Sequence, residues 1–333
     1  MSGGHTRAMV LCAGLGTRLR PLTDVWPKPA VPLLGRPLLR YTLERLPPAE
    51  IREVGINTFH LPAVMEKTAR AECERLGLSL TVSRETGEIQ GTGGGIRGLK
   101  NFLRGDDFVV LNPDVLFELD VASAVRAHRE SKAAATVVLL PMPEEGKFNA
   151  VEIDGKGDVR RIAGKGPGGD RLTPWHFSGV HVMSPAVFDF MSASGPEDIN
   201  HDVYLRMLGK GARVHAHVTR GVYWSDLGTL ERYAATHRDL LFRQGPGHVA
   251  DPTAQLNDVK VSGPAWFGAN CVLGAGVRIG SAVSVGPNAR VAAGAALNRC
   301  IVLDGAQVPA GLHEDTLFFG DRALPIPREG SGP

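Results

Sequence analysis

The stretch AMVLCAGLGTRLRPLTDVWPKP, residues 8–29, decides how the first part of the chain folds. Its opening, Ala8 to Ala13, is an apolar run too short for a helix and closed by Gly14, the pattern of a buried strand feeding a loop. Working outward, helix-period sequence covers 37–46, the strand-like EVGINT stands at 53–58, an amphipathic stretch at 62–76, and LSLTVS at 78–83 reads as a further strand. A Gly-rich loop precedes helix-period residues 96–103, FVVLN (108–112) reads as a strand ending at Pro113 and Asp114, 121–131 as a helix and 135–140 as a strand. This alternation predicts an α/β fold, a Rossmann-like doubly wound and mostly parallel sheet with right-handed crossovers. Residues 151–162 predict a hairpin turning at Asp154-Gly155, VHAHV (214–218) a strand, and the segment after Trp224 a helix running toward Phe242.

From Val261 the pattern changes. Val261, Phe267, Leu273, Ile279, Val285, Val291, Leu297 and Leu303 stand six residues apart, with glycine following at 268, 274, 280 and 286. The fourth residue after each of the first seven is small or aliphatic, from Ala265 and Cys271 to Ala295 and Ile301. That register is the hexapeptide signature of a parallel β-helix, where every sixth side chain enters the core. Three hexads make a coil, so about two and a half coils are expected. An array this short needs a neighbour to stack on, so packing on the first domain or self-association into a homo-oligomer through the β-helix is expected.

Composition narrows the function classes. Glycine, 41 of 333 residues, is in excess of ordinary usage. Lys plus Arg (37) nearly balances Asp plus Glu (35), so no whole-molecule field attracts nucleic acid or an anionic membrane, and neither is expected as a partner. The opening apolar run is too short for a signal-peptide core and no later run approaches a membrane span, so residence in the cytoplasm is expected. Cys12, Cys73, Cys271 and Cys300 show neither CxxC pairing nor zinc-finger spacing and read as buried free thiols.

The loop after the first strand lies where open α/β sheets bind ligands. Gly14 and Gly16 let the backbone approach a phosphate, Thr17 adds a hydroxyl, and Arg18 and Lys28 supply cations, so the loop is a candidate anion cradle. It is not a Walker A loop, since GKS/T is missing, and Leu19 stands at the third glycine position of GxGxxG.

Residues 11–39, LCAGLGTRLRPLTDVWPKPAVPLLGRPLL, resemble the signature of the sugar-1-phosphate nucleotidylyltransferases. The resemblance continues through GTGGGI (91–96), LNPD (111–114), WSDLGT (224–229) and the hexapeptide tail, so it covers the chain from about residue 7 to 320. It implies a nucleotidyltransferase domain at 7–242, a linker at 243–260 and a left-handed β-helix at 261–320. It also implies the reaction: the phosphate of a sugar 1-phosphate attacks the α-phosphorus of a nucleoside triphosphate and pyrophosphate leaves. By the same resemblance Arg18 and Lys28 act on the reacting phosphates; Ala13, Gly14, Gly16, Thr17, Gly91 and Gly93 face the nucleotide; and Asp114 and Asp226 hold Mg²⁺. Asn149, Lys165, Ser178 and Gly179 fall on the sugar phosphate side. Among relatives the loop and short tail look most like mannose-1-phosphate guanylyltransferases, implying GTP and mannose 1-phosphate as substrates and GDP-mannose as product. UTP- or GTP-dependent enzymes for N-acetylmuramate or heptose phosphates share GTGGGI and FSG (177–179). The departures are Pro113 where relatives carry Gly, and Gly164 and Gly166 where they carry Glu and Pro around the lysine; they leave room for a non-catalytic nucleotide-sugar-binding subunit.

Overall fold

In the computed structural model the described residues are 5–143 and 148–327. They fall into two compact units, one of Met1–Leu15, Trp26–Ala30 and Leu39–Trp224, the other of Gly16–Val25, Val31–Leu38 and Ser225–Pro333. Among the described residues no helix is long and apolar enough to cross a membrane, and the four cysteines are free and buried.

The first unit is built on a nine-stranded sheet. Its strands are β1 (Arg7–Val10), β2 (Glu53–Thr58), β3 (Ser79–Arg84), β4 (Phe108–Leu111), β5 (Ala135–Leu140), β6 (Ala150–Ile153), β7 (Val159–Ile162), β8 (Thr173–Met183) and β9 (Val214–Val218). The order is β7-β6-β8-β4-β1-β2-β3, with β5 paired to the other edge of β8 and β9 paired to β5. Pairing is parallel between β1 and both β2 and β4, between β2 and β3, and between β5 and β9; β8 and β7 run against the rest. The fold is therefore the expected mostly parallel α/β sheet, with β8 as an antiparallel spine that splits its two ends between β6 and β4.

Side-chain alternation sends each strand into two cores. Ala8, Val10, Val109 and Leu111 pack on one face with Met65, Ala69 and Cys73 of α1 (Pro62–Leu76). Met9, Phe108 and Val110 pack on the other with Ile96 of α2 (Gly91–Gly98). The first face also takes Val121, Ala124 and Val125 of α3 (Val121–Ser131), and the second Tyr204, Met207 and Leu208 of α4 (Tyr204–Gly209). Asp120 caps α3, its carboxylate accepting the Ser123 N–H at 3.1 Å. One segment corrects the sequence reading: the Gly-rich stretch expected as a loop is the body of α2. Glycine is a poor helix former, and only close tertiary contact makes this helix worth forming.

In the second unit, α5 (Leu230–Arg243) is capped by Thr229, whose hydroxyl accepts the Arg232 N–H. A parallel β-helix follows, its strands stacking on three faces. One face runs through His248–Ala250, Ala265–Phe267, Val283–Val285, Ile301–Val302 and Thr316–Phe319; Arg322–Pro325 folds back antiparallel on the last. The other two faces carry four strands each, so the helix is longer than the hexads promised and its first coil, His248 to Val261, occupies most of the stretch expected as a linker. That coil escapes the six-residue reading because Leu256 pairs with Leu273 but Val261 with Ile279, so its corner is one residue short. A second slip puts Val302, not Leu303, opposite Val285.

The glycine column has a steric cause. A Cβ on Gly268 would come within 2.7 Å of Pro287 N, on Gly274 within 2.6 Å of Ala293 N, and on Gly286 within 2.8 Å of Asp304 N. The next coil's backbone occupies the space a side chain would need.

Candidate active site

In the first unit, the carboxyl ends of β1 and β4 open onto a cavity of about 220 Å³. Leu11, Ala13 and Gly14 line it from the loop after β1, Asn112, Pro113 and Asp114 from the turn after β4, and Lys28 and Pro29 from the signature segment. Asn57, Ile89, Gly91 and Thr92 complete the wall. Lys28 is 9 % exposed and its Nζ lies 2.7 Å from Asp114 Oδ2, so the cation and the carboxylate face one another on this wall.

Asn57 organises the loop behind that wall. It is buried at the end of β2, its Oδ1 accepts the Cys12 N–H at 2.8 Å, and its Nδ2 donates to Glu85 Oε1 at 2.7 Å. The other Glu85 oxygen accepts the Gln90 N–H at 2.8 Å, one residue before α2. The turn carrying Ala13 and Gly14 is thus tied through one carboxamide and one carboxylate to the start of α2. Asn57, Ile89, Thr92 and Asn112 were not among the expected site residues. An asparagine inside the apolar EVGINT strand was the one legible signal, since a buried amide needs partners.

Two of the α2 glycines have their backbone N–H groups occupied. The N–H groups of Gly93 and Gly94 donate to the Glu197 carbonyl at 2.8 and 3.2 Å, so these helix-start donors are already engaged. Gly93 is therefore not a cavity residue, whereas Gly91 is. Absence of side chains serves packing: a Cβ on Gly91 would stand 2.6 Å from the Glu197 carbonyl oxygen, and on Gly95 2.4 Å from Asn57 Nδ2. Glu197 is 4 % exposed and its carboxylate is held by Ser192, Arg97 and Arg206; burial raises its pKa, but the hydrogen bonds from Ser192 and the bond and charge of Arg206 draw it below the ordinary carboxylate value. Thr92 donates to Asp198 Oδ2 at 3.0 Å and accepts the Ile199 N–H at 2.8 Å, fixing the cavity's Gly91–Thr92 edge.

The expected sugar-side residues divide. Gly179 sits in a bulge of β8 at φ +92, and its carbonyl accepts the Asn112 N–H at 2.9 Å; Ser178 is buried and its carbonyl accepts Trp224 Nε1 at 3.0 Å. Gly179 thus supports the turn that carries Asn112 and Asp114, Ser178 holds the Trp224 indole, and neither lines the cavity. Asn149 and Lys165 are exposed and outside the cavity wall, Lys165 closing a tight turn through paired backbone bonds with Ile162. Gly166 explains its own departure from the family pattern: its φ is +139 and a Cβ would meet the Arg160 carbonyl oxygen at 2.2 Å, so proline, locked near φ −65°, cannot stand there.

In the second unit, Gly16 adopts φ +62 and starts a 3₁₀ turn over Thr17–Leu19, its carbonyl accepting Leu19 N–H and Thr23 Oγ1. Thr17 and Arg18 on that turn are exposed, and Arg18 is in no ion pair among the described residues. Gly228 is bare because a Cβ would stand 3.1 Å from Arg18 Nη2 and 2.9 Å from Asp226 Oδ1. Asp226 Oδ2 is bound at 2.6 Å by Arg232 Nη1 of α5.

Among the described residues no three His, Cys, Asp or Glu side chains converge on a metal position. Magnesium does not require such a cage, since it takes one or two carboxylates and completes its shell with phosphate oxygens and water. Asp114 and Asp226 are carboxylates of that kind, each bound to its cation through Oδ2.

An α/β sheet with a lysine–carboxylate pair on the wall of a cavity at its carboxyl edge belongs to the class of open-sheet proteins that bind ligands at that edge. The chain belongs to the nucleotidyl transferase family, whose model matches residues 7–242. Among curated proteins it is 32 % identical over 314 residues to the mannose-1-phosphate guanylyltransferase of Mycobacterium tuberculosis, covering 93 % of this chain and 83 % of the relative. It is 32 % identical over 311 residues to a probable mannose-1-phosphate guanylyltransferase of Oryza sativa, covering 91 % and 82 %. A UTP--glucose-1-phosphate uridylyltransferase of Synechocystis is 28 % identical over 340 residues, covering 94 % and 87 %.

Proposed function

We propose that this chain is a sugar-1-phosphate nucleotidylyltransferase, with GTP and mannose 1-phosphate as its substrates. The observation that carries the reading is Lys28 facing Asp114 on the cavity wall, inside a segment matched to the nucleotidyl transferase family. Relatives that are mannose-1-phosphate guanylyltransferases over most of both chains favour this substrate pair.

The chemistry requires little from the protein beyond positioning and charge. An oxygen of the sugar phosphate, already anionic at neutral pH, forms the new bond to the α-phosphorus as the bond to the bridging oxygen of pyrophosphate breaks. No proton has to be removed. In this reading Lys28 opposes the charge on the reacting phosphates, Arg18, a cation outside any ion pair among the described residues, binds triphosphate, and the backbone at Ala13, Gly14 and Gly91 borders the nucleotide. Asp114 and Asp226 are the residues proposed to hold Mg²⁺, which when bound neutralises phosphate charge and orients the triphosphate.

A pyrophosphate-release screen of four nucleoside triphosphates against a panel of sugar 1-phosphates, with and without Mg²⁺, tests this. Fastest turnover is expected with GTP and mannose 1-phosphate, and only with metal. No turnover with any pair, despite nucleotide-sugar binding, would instead make the chain a regulatory subunit.

A further inference from the structure

The hairpin at residues 31–38 and the β-helix meet on α5 within the second unit. Residues 31–38 form a hairpin in which Pro32 pairs with Pro37 and Leu33 with Arg36, and the Leu38 N–H donates to the Val31 carbonyl. With Val31–Leu38 hydrogen-bonded, Pro32 and Pro37 stand at the alternate position, where backbone groups point away from the partner strand. Two prolines are tolerated there because neither N–H is needed. The Pro32 carbonyl, however, points outward and needs a donor. Tyr233, fully buried on α5, donates its hydroxyl to that carbonyl.

Four successive inward positions of α5 make four attachments. Arg232 holds Asp226 Oδ2 at 2.6 Å, Tyr233 holds Pro32, Thr236 Oγ1 meets Ser225 Oγ at 2.7 Å, and His237 Nδ1 meets Ser284 Oγ of the β-helix at 3.2 Å. Ser284 stands beside Trp266 on the neighbouring coil, and Trp266 lies on the tip of the same hairpin. A Cβ on Gly35 would fall 2.5 Å from its ring, so only glycine lets the indole approach. Leu34, Leu241 and Ala282 close an apolar cluster around this seat. Outward-facing residues of a β-helix are ordinarily solvated; Ser284 is 2 % exposed because α5 covers it.

We propose that Tyr233 is a positioning residue for the reaction: held on α5, which is seated on the β-helix, it fixes Pro32 and thereby the placement of Lys28 four residues upstream. The β-helix is then a mount for the hairpin at residues 31–38, and the hydroxyl of Tyr233 is the joint between them. This rests on the proposed nucleotidyl transfer for its catalytic consequence, but not for its structural one. Tyr233 touches no substrate in this account, and the effect passes through the backbone from Pro32 to Lys28.

The test is Tyr233→Phe, which removes one oxygen and keeps the ring. On the best substrate pair of the screen, kcat should fall about tenfold, with the triphosphate KM within about twofold. Amide hydrogen exchange should accelerate in 26–37 and stay unchanged elsewhere. Unchanged kcat and exchange would overturn the proposal, and so would exchange accelerated across the whole chain, since that marks a general loss of stability. Should the variant not fold, Trp266→Leu probes the same seat with the same two readouts and the same criteria. If the wild-type protein turns over no substrate, the catalytic reading fails by itself; the localised exchange change then still decides whether Tyr233 holds the segment.

Discussion

The Lys28 ammonium lies 2.7 Å from Asp114 Oδ2, although 86 residues separate them in the chain. Lys28 is nearly buried while the Asp114 side chain is about a third exposed, so the cation is the fixed partner and the carboxylate the one reached from outside. Truncating Lys28 removes a preorganised positive charge from a cavity wall. Lys28→Ala should lower turnover by about 10²–10³, the usual cost of deleting one electrostatic stabiliser. The melting temperature should move by only a few degrees, because Asp114 keeps access to water. Lys28→Arg should restore little, since a planar guanidinium does not fit a site built for a compact ammonium. Pyrophosphate release and thermal melting of the three proteins check this, and a Lys28→Ala enzyme of ordinary turnover would take Lys28 out of the chemistry.

Gly14 and Gly95 are expected to respond oppositely to alanine. A Cβ on Gly14 meets nothing within 4 Å, so Gly14→Ala should fold as stably as the parent. Its new methyl would project beside the cavity, and if phosphate approaches that backbone the triphosphate KM should rise about tenfold or more. A Cβ on Gly95 stands 2.4 Å from Asn57 Nδ2, so Gly95→Ala must displace the carboxamide that holds the Cys12 N–H. Overpacking of this kind costs about 1–3 kcal/mol. Denaturant melts of both variants separate the two cases; equal stability loss would mean that the Gly14 backbone is not open.

The contrast between these glycines shows where sequence reading stops. Strands such as 108–111 and 135–140 were legible because both faces of a parallel strand are buried and the run is apolar throughout. Hexads from Val261 to Leu297 were legible because the coil repeats every eighteen residues there, as the pairing of Phe267 with Val285 shows. The first coil was not, since one missing residue at its corner shifts every inward position. The surroundings of Gly93 were illegible for a different reason. A helix start rich in glycine offers donors to a phosphate, but the carbonyl that takes them belongs to Glu197, about a hundred residues later, and no local pattern announces it. Gly14 and Lys28 were legible because they belong to one contiguous motif, and Asp114 because it ends a legible strand; Asn57, Thr92 and Asn112 were missed because only the fold brings them there.

Asp226 carries two demands, an ion pair with Arg232 in this structure and a metal in the proposed reaction. Asp226→Asn keeps the size and a hydrogen-bonding oxygen but loses the charge that both need. Turnover should fall by at least about 10², with the fold retained, because a partly exposed pair adds at most about 1 kcal/mol. Arg232→Gln should be milder, since it frees Asp226 without neutralising it. Titrating Mg²⁺ against activity for each variant reads the difference: Asp226→Asn should not be rescued at high metal, and Arg232→Gln should be. Normal turnover by Asp226→Asn would remove that carboxylate from the metal site.

Acid sensitivity should begin well above the carboxylate range. Burial pushes the pKa of His181, hydrogen-bonded to the Tyr204 hydroxyl, down to about 3, and that of His237 likewise to about 3. Nearby Asp198 opposes the shift at His181, and the Pro32 backbone opposes it at His237. In the unfolded chain both rings titrate near the ordinary value of about 6.5. Between that value and the folded one the unfolded state binds the extra proton, so stability is complete above about pH 6.5 and falls as the pH drops. Each histidine contributes a slope of up to ~1.4 kcal/mol per pH unit. Asp107, Asp154 and Glu197, whose folded pKa values are lowered by their cation or hydrogen-bond partners, add their own loss only nearer their unfolded values of about 4. Within the window from about pH 6.5 to 5, His217, also lowered by burial, adds to the loss, while Asp304, which burial raises to about 6, offsets part of it by taking up its proton in the folded state first. Melting temperatures at pH 7, 6 and 5 should decline steadily, and His237→Gln, which has no proton to gain, should shallow that decline. A decline as steep in His237→Gln as in the parent would show that this ring is not held neutral by burial.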